Sequence, residues 1–297
     1  MNKIKHILGP MRLPFLILTP ACVFLGLGSA VWTSGGIDAF YFILTLVGAL
    51  SAHISVNSLN EYFDFKSGLD FKTVRTPFSG GSGTLPANPE SAPSALATGL
   101  ITFTITGLIG IYFLYVRGPL LLPLGLLGLI SIITYTPWIT RSLFLCLITP
   151  GLGFGLFMVM GTDFVLTGSY SWTAFIASLI PFFLVNNLLL LNQFPDADAD
   201  KSVGRWHLPI AWGRKKSALV YGLFLLMTYL SIAAGIYFGY FPRLCLLGMI
   251  SLVIAVPAVF GVLRYAENME KLKTYMTLNV VLNITTPVLI AIGFLAG

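Results

Sequence analysis

The chain has 297 residues, of which 56% are hydrophobic and only 9% are charged, with 17 Lys and Arg against 11 Asp and Glu. A mean hydropathy of +0.88 excludes a soluble globular protein and indicates an integral membrane protein. The three cysteines, Cys22, Cys146 and Cys245, lie in separate apolar stretches without metal-ligand spacing, so we expect small buried side chains rather than disulfides or a metal site.

Long uncharged runs follow one another along the whole chain. Charged residues bound them at 12–38, 38–61, 90–117, 117–141, 141–163, 163–196, 216–243 and 243–264, and the last run follows Lys273. Each run has at least 20 residues, enough for a helix to cross a hydrocarbon core of about 30 Å. The sequence therefore predicts an all-α polytopic membrane protein with nine transmembrane helices in a single domain over 1–297.

The distribution of Lys and Arg predicts the orientation of these helices. With the N-terminus in the cytoplasm, 15 of the 17 basic residues face the cytoplasm and only Arg117 and Arg243 face outward, which agrees with the positive-inside rule. All acidic residues except Asp38 and Asp163 then lie on the cytoplasmic side as well. We therefore expect a multi-pass protein of the cell membrane whose N-terminus and active site face the cytoplasm.

Two acidic stretches, at the ends of the second and sixth predicted helices, repeat one pattern. Residues 59–64 read Leu-Asn-Glu-Tyr-Phe-Asp and residues 191–196 read Leu-Asn-Gln-Phe-Pro-Asp. Clustered carboxylates repel each other unless a cation compensates them, and Mg²⁺ commonly combines a few carboxylates with phosphate oxygens. The alternative is a solvated helix end whose acids pair with nearby lysines; two such stretches on one side of the membrane favour the metal site.

The spacing of the first stretch places its polar residues on one helix face. Asn60 and Asp64 are four residues apart, and Glu61 is three before Asp64. The repeated pattern also predicts two related four-helix halves, at about 1–141 and 142–264, with a last helix at about 274–296. Internal repeats of this kind commonly place a ligand at the interface of the halves.

The second stretch carries three acids on alternate positions. Asp196 follows Asn192 by four residues and precedes Asp200 by four, so these three share a face. Asp198 points elsewhere if the helix continues, but Pro195 predicts a kink or a frayed end here, which keeps Asp198 a candidate.

Two connections are predicted to be long cytoplasmic loops, at about 64–93 and 195–216. Long loops in compact domains are commonly lids or binding loops. The first contains the glycine cluster 79–83, Ser-Gly-Gly-Ser-Gly, which either cradles an anion with its backbone N–H groups or acts as a lid hinge.

The two acidic motifs resemble those of the UbiA superfamily of intramembrane prenyltransferases. The matching residues are Asn60, Glu61, Asp64, Gly68 and Asp70 in the first motif, and Asp196, Asp198, Asp200, Lys201, Gly204 and Arg205 in the second. They are most similar to the menaquinone branch, the 1,4-dihydroxy-2-naphthoate prenyltransferases. The chain has Glu61 where the family usually has Asp.

The resemblance implies a fold with helices around a central cavity and Mg²⁺-dependent transfer of a polyprenyl group from its diphosphate to an aromatic acceptor in quinone biosynthesis. The implied catalytic metal-binding residues are Asn60, Asp64, Asp196 and Asp200, with Glu61, Asp70, Asn192 and Asp198 as further ligands. The implied diphosphate-binding residues are Lys72, Arg75, Lys201 and Arg205. The expected partners are a polyprenyl diphosphate, an aromatic or lipid acceptor and the lipid bilayer; no nucleic-acid partner is expected.

Several alternatives remain open at this stage. The same fold could prenylate a glycerol-phosphate lipid or cyclise a terpene without an acceptor, and the repeat with its intramembrane acids could belong to a cation-coupled transporter. Aromatic faces stabilise an allylic cation, and Tyr62, Phe63, Phe65 and Phe194 are the nearest in sequence, although packing is the favoured role of each. His53 is interpreted as a buried, hydrogen-bonded residue in preference to one that contacts the acceptor.

Overall fold

The protein is described here from a computed structural model, which covers residues 2–297, with side chains from position 7 onward. Met1, on which the predicted cytoplasmic placement of the N-terminus falls, lies outside the described residues. Within them the secondary structure is entirely helical, with nine apolar helices, as predicted. Their bounds are α1 Leu18–Ser34, α2 Ala39–Ser67, α3 Ala92–Arg117, α4 Leu122–Thr134, α5 Leu143–Thr167, α6 Trp172–Ser202, α7 Leu208–Tyr237, α8 Arg243–Tyr265 and α9 Met269–Ala296.

Each helix packs on its neighbours in sequence, and α9 returns to pack along α1, which closes the arrangement. In addition, α6 contacts both α1 and α9 and is the most buried of the candidate membrane spans. The pairs α2–α3 and α6–α7 both pack extensively, and they hold corresponding positions in the two predicted halves. The duplication itself stays a prediction.

A short N-terminal helix, Asn2–Met11, and a 3-10 turn, Leu13–Ile17, precede α1. The turn begins after Arg12, which has a left-handed backbone with φ of 52°. This is the only positive φ of a non-glycine residue among those described. Such a conformation is uncommon outside glycine, asparagine and aspartate, and here it redirects the chain at a residue that reaches the acidic motifs.

An apolar cavity of about 460 Å³ lies between α1–α6 and α9. One wall is α4, which has 13 residues, none of them buried in the described structure. Gly125 and Gly128 of this helix line the cavity together with the exposed side chains of Leu122 and Leu126. The cavity therefore reaches the lipid-facing surface along the most thinly packed helix of the bundle.

The structure corrects one predicted loop. The segment between α6 and α7 comprises only residues 203–207, so the long loop predicted at about 195–216 is wrong. Helix α6 continues through Pro195 to Ser202, because proline removes one backbone donor without preventing the helix from continuing on both sides. The break falls instead at Gly213 inside α7, where φ is 78°. The α2–α3 connection, residues 68–91, is long, as predicted.

Candidate active site

The first acidic motif sits where α2 ends. Gly68 adopts a left-handed conformation with φ of 76°, and its N–H bonds to the carbonyls of Asp64 and Phe65, which is a common way for glycine to terminate a helix. A 3-10 turn, Leu69–Phe71, follows, with the Leu69 side chain buried. The turn carries Asp70 back toward the end of α2, where its side chain is also buried.

The second motif occupies the last turns of α6. Asp200 accepts hydrogen bonds from Arg205 at 3.0 Å and shares a 2.9 Å contact with Nε2 of His207. Arg205 also forms an ion pair with Asp64 of the first motif. One guanidinium group therefore joins the ends of α2 and α6 directly.

Both motifs line one polar cavity of about 110 Å³. Its charged side chains are Arg12, Asp64, Asp70, Asp196, Asp200 and Arg205. Four carboxylates thus face two guanidinium groups, an excess of negative charge that favours a bound cation. Asn60 and Asn192 add amide groups to the same cavity.

The glycine cluster covers this cavity. Gly80 donates its N–H to Asp196 Oδ2 at 3.2 Å, and Ser82 donates its N–H and its hydroxyl to Glu61 at 2.7 Å and 2.6 Å. Gly81, with φ of +72°, passes so close that a Cβ there would lie 3.0 Å from Asp70 Oδ1. The N–H and hydroxyl groups of the glycine cluster donate hydrogen bonds to carboxylates of both motifs. The cluster therefore covers the polar cavity and connects the two motifs.

Arg12 is a site residue that the sequence reasoning missed. Its Nε donates to Glu61 at 2.7 Å, and its Nη2 donates to Asn60 Oδ1 at 3.0 Å. These partners lie 49 and 48 residues away in the chain, too far for any local spacing rule. The one available signal was the presence of a lone Arg directly before the first apolar run.

Five of the predicted site residues do not line either cavity in the described structure. The side chain of Asp198 is 97% exposed and faces Arg214 at 3.7 Å, because α6 continues as a regular helix. Lys72 is exposed and bonds Ser202, Lys201 is exposed, and the guanidinium of Arg75 packs against Gly83. Glu61 is buried and bound to Arg12 and Ser82, beside the cavity rather than in its wall.

The aromatic side chains that border the site are not the ones nearest to the acidic motifs in sequence. Tyr62 and Phe65 pack against Leu85, and Phe194 lies in the main core; together with Phe63, they line neither cavity in the part of the chain described. The aromatic side chains that line both cavities are Phe78 and Tyr135. They mark the junction of the polar and apolar spaces.

The chemistry of the polar cavity fits a divalent cation. Asp70 is buried, and its Oδ2 finds no hydrogen-bond partner in the described chain. Burial, and then the neighbouring carboxylates of Glu61 and Asp64, raise the pKa of Asp70 to about 7, as expected where negative charge lacks full compensation. No three of the described His, Cys, Asp and Glu side chains form a metal-binding group as they stand, since Asp64 and Asp200 are turned to Arg205.

Arg205 stays a cation in this setting. Burial lowers its pKa, but the carboxylates of Asp64 and Asp200 more than offset that effect and hold the pKa above its ordinary value. The permanently charged guanidinium group of Arg205 can donate two parallel hydrogen bonds to the oxygens of a phosphate group.

The UbiA prenyltransferase family matches residues 20–281, which is most of the chain. The 1,4-dihydroxy-2-naphthoate octaprenyltransferase of Bacillus subtilis (strain 168) is 28% identical over 188 residues, which are 60% of this chain and 57% of that protein. The match thus spans little more than half the length of that relative.

Solved structures share the fold at low sequence identity. A UbiA homologue from Aeropyrum pernix K1 has a TM-score of 0.67 at 16% identity, with 95% of this chain and 98% of that chain covered. A UbiA homologue from Archaeoglobus fulgidus, bound to DMAPP and Mg²⁺, has a TM-score of 0.60 at 13% identity, covering 95% and 97%. A digeranylgeranylglyceryl phosphate synthase has a TM-score of 0.61 at 17% identity, with both chains fully covered.

Proposed function

We propose that this chain transfers a polyprenyl group from its diphosphate to a hydroxylated aromatic ring. The chain belongs to the UbiA prenyltransferase family and is a membrane-embedded prenyltransferase. The proposed acceptor is of the 1,4-dihydroxy-2-naphthoate type, which the Bacillus subtilis relative names, and the product is a prenylated quinol for menaquinone biosynthesis. The family assignment removes the transporter alternative.

One observation carries the proposal: an acid-lined polar cavity joins a much larger apolar cavity, and Phe78, Tyr135 and Asn192 line both. A polyprenyl diphosphate has the same two parts, a charged head and a hydrocarbon tail. The head suits the cavity of about 110 Å³, and the tail suits the space of about 460 Å³ that reaches the lipid-facing surface.

The head group would be held by the charged residues of the polar cavity. Asp64, Asp70, Asp196 and Asp200, with the amides of Asn60 and Asn192, are the proposed Mg²⁺ ligands. When bound, Mg²⁺ neutralises charge on the diphosphate as it leaves. Arg12 and Arg205 are the proposed diphosphate-binding cations, because their guanidinium groups line the same cavity and match phosphate geometry.

The reaction then takes place at the junction of the cavities. The bond between C1 of the prenyl group and the diphosphate oxygen breaks, and its electron pair leaves with the diphosphate. A ring carbon of the acceptor supplies the electron pair for the new C–C bond and afterwards loses its proton to the released diphosphate. Phe78 and Tyr135 border the junction, where aromatic faces stabilise allylic positive charge and apolar walls exclude water.

Product identification tests this function. Purified protein with Mg²⁺ and labelled geranylgeranyl diphosphate is given 1,4-dihydroxy-2-naphthoate, 4-hydroxybenzoate, a glycerol-phosphate lipid or no acceptor, and products are analysed by mass spectrometry. We expect a prenylated naphthalene product that is lost with EDTA and in Asp196→Asn. A prenylated lipid, or a hydrocarbon formed without any acceptor, would overturn the aromatic assignment in favour of the other two reactions.

A further inference from the structure

Two polar side chains lie deep in the apolar cavity, far from the acidic motifs. His53 is 14 residues from each end of α2, and Asn283 is 14 residues from the start of α9 and 13 from its end. Both line the apolar cavity, and neither lines the polar one. Because both helices cross the bilayer, the two residues sit at about the same mid-membrane depth.

The ring of His53 is fixed in place. Its Nδ1 is 2.8 Å from the hydroxyl of Thr19 on α1, and its edge meets the ring of Phe154 on α5 with centroids 4.8 Å apart. Thr19 and His53 are both buried. With Nδ1 engaged, Nε2 is the atom of this ring that remains for a ligand in the cavity.

Asn283 is held so that one defined atom is left free. Its Nδ2 donates to the backbone carbonyl of Asn279 at 2.8 Å. A carbonyl only accepts hydrogen bonds, so the nitrogen must lie there and the oxygen must be the other atom. Asn283 is 1% exposed, and among the described residues its Oδ1 has no hydrogen-bond partner.

Position in the cavity separates Asn283 from the other unsatisfied amides of the core. Asn186, Asn187 and Asn279 also have an atom that bonds to nothing in the described chain, but they do not line the apolar cavity. An unpaired buried amide in a hydrocarbon environment is unfavourable. A ligand hydroxyl entering the cavity is the group that would satisfy Asn283.

The depth of the pair suits a ring rather than the isoprenoid tail. His53 precedes Asn60 by seven residues, about 10 Å along the helix axis. Each hydroxyl of 1,4-dihydroxy-2-naphthoate lies beside the C2–C3 edge at which the ring reacts, so this distance accommodates that edge and C1 of the prenyl group between the pair and the acidic motifs. An isoprenoid chain has no group that could bond a histidine or an amide.

We propose that His53 and Asn283 bind the hydroxyl groups of the aromatic acceptor and thereby orient its reacting carbon toward the prenyl diphosphate. Asn283 Oδ1 accepts a hydrogen bond from a hydroxyl group of the ring, and His53 Nε2 supplies a second polar atom in the wall of the same cavity. This subsite rests on the proposed aromatic prenylation, and it adds the element that selects a ring with a hydroxyl next to the reacting carbon.

The test compares acceptor and donor kinetics in His53→Leu and Asn283→Leu. We expect KM for 1,4-dihydroxy-2-naphthoate to rise at least about tenfold while KM for the prenyl diphosphate stays within about twofold. Wild type should also bind this acceptor more tightly than 1-hydroxy-2-naphthoate, which lacks the second hydroxyl, and the variants should lose that difference in affinity. Thr106→Val is the matched control, because Thr106 lines the same cavity but its hydroxyl is engaged by the carbonyl of Thr102 at 2.9 Å.

Acceptor affinity measured by calorimetry without donor gives a second readout, and thermal unfolding with Mg²⁺ and prenyl diphosphate verifies that each variant is folded. His53→Gln and Asn283→Gln, which keep hydrogen-bonding groups, replace any leucine variant that fails to fold. An unchanged acceptor KM and unchanged ring preference in folded variants would overturn the subsite and leave the proposed function intact. Absence of any aromatic product from wild type would overturn the proposed function itself.

Discussion

Arg205 forms ion pairs with both acidic motifs. It pairs with Asp64 at the end of α2 and with Asp200 at the end of α6, and its side chain is only 16% exposed. Charge-assisted hydrogen bonds in such partly buried settings are stronger than those at the surface. Arg205 is therefore expected to act on both the geometry of the ligands and the charge of the diphosphate.

Replacement of this residue gives the first prediction. In Arg205→Met we expect turnover to fall by about 10²- to 10³-fold, the loss typical of removing one group that stabilises developing negative charge. Lys201→Met is the matched comparison, because Lys201 carries the same charge four residues earlier but is exposed and outside both cavities. Steady-state kinetics with saturating Mg²⁺ measure both, and an equal loss in the two variants would contradict the structural distinction.

The raised pKa of Asp70 gives the second prediction. A carboxyl binds Mg²⁺ only when deprotonated, so a proton competes with the metal below the pKa of about 7. We expect the apparent affinity for Mg²⁺ to rise by up to about tenfold per pH unit as pH approaches 7 from below, and to level off above it. Asp70→Asn removes this carboxyl and should flatten that step in titrations of activity against Mg²⁺; an unchanged profile would exclude Asp70 as a ligand.

At the residue scale, the sequence predicted what local spacing controls. The i, i+4 relation placed Asn60 with Asp64 and Asp196 with Asp200. Pro195 kept Asp198 among the predicted metal ligands, whereas the structure shows it facing solvent. Arg12 and Tyr135 could not be found in this way. They reach the site from separate segments, and their contribution depends on helix packing rather than on any pattern around them.

The glycine cluster 79–83 is the element that links the two acidic motifs. Gly80, Gly81 and Gly83 have φ of +82°, +72° and +70°, a run that only glycine adopts without strain. Loops held by a few hydrogen bonds at a cavity mouth are typical of lids. Of the two roles left open by the sequence, the contacts to Glu61 and Asp196 support the lid.

Alanine substitution in this loop is the third prediction. Gly81 has a φ that is disfavoured for alanine, and a Cβ there would lie 3.0 Å and 3.2 Å from carboxylate oxygens of Asp70 and Glu61. Gly81→Ala should therefore displace the glycine cluster and raise KM for the prenyl diphosphate several-fold. Gly36→Ala is the control, since its Cβ meets no atom of the described chain within 4 Å.

Limited trypsin digestion supplies a second measure of the lid, because Lys72 and Arg75 are exposed in the same connection. We expect Mg²⁺ with inorganic diphosphate to slow cleavage there in the wild type and less so in Gly81→Ala. Equal protection in both proteins, with equal KM, would show that the loop is not coupled to ligand binding.

At the element scale, hydropathy predicted the helices better than their ends. Every uncharged run became a helix, because the bilayer requires each spanning segment to satisfy its own backbone. The prediction ended α6 too early, at Pro195, because the sequence around a proline does not show whether packing holds the flanking turns in a helix. Here Phe194 and Leu191 beside it are fully buried, and they hold α6 in helical form to Ser202.

At the scale of the whole molecule, the charges are distributed unevenly across the membrane. Both acidic motifs and most of the basic residues belong to the ends of helices that meet at the polar cavity or to the connections beside it, whereas Arg117 bonds the carbonyls of Val165 and Leu166 near the opposite ends of α3 and α5. The positive-inside rule therefore predicts that the polar cavity faces the cytoplasm, where soluble diphosphate would be released.

This orientation is the fourth prediction, and cysteine labelling can test it because the three native cysteines are all buried. Single substitutions at two exposed positions, Glu267→Cys between α8 and α9 and Ser169→Cys between α5 and α6, provide one reporter for each side. Both positions lie outside the cavities, so prenyl transfer should be retained in each variant. With a membrane-impermeant maleimide, Ser169→Cys should be labelled in intact cells, whereas Glu267→Cys should be labelled only after the membrane is opened. The reverse pattern would place the acidic cavity on the outer face, and labelling of both positions in intact cells would contradict an odd number of helices between them and thus the nine-helix topology.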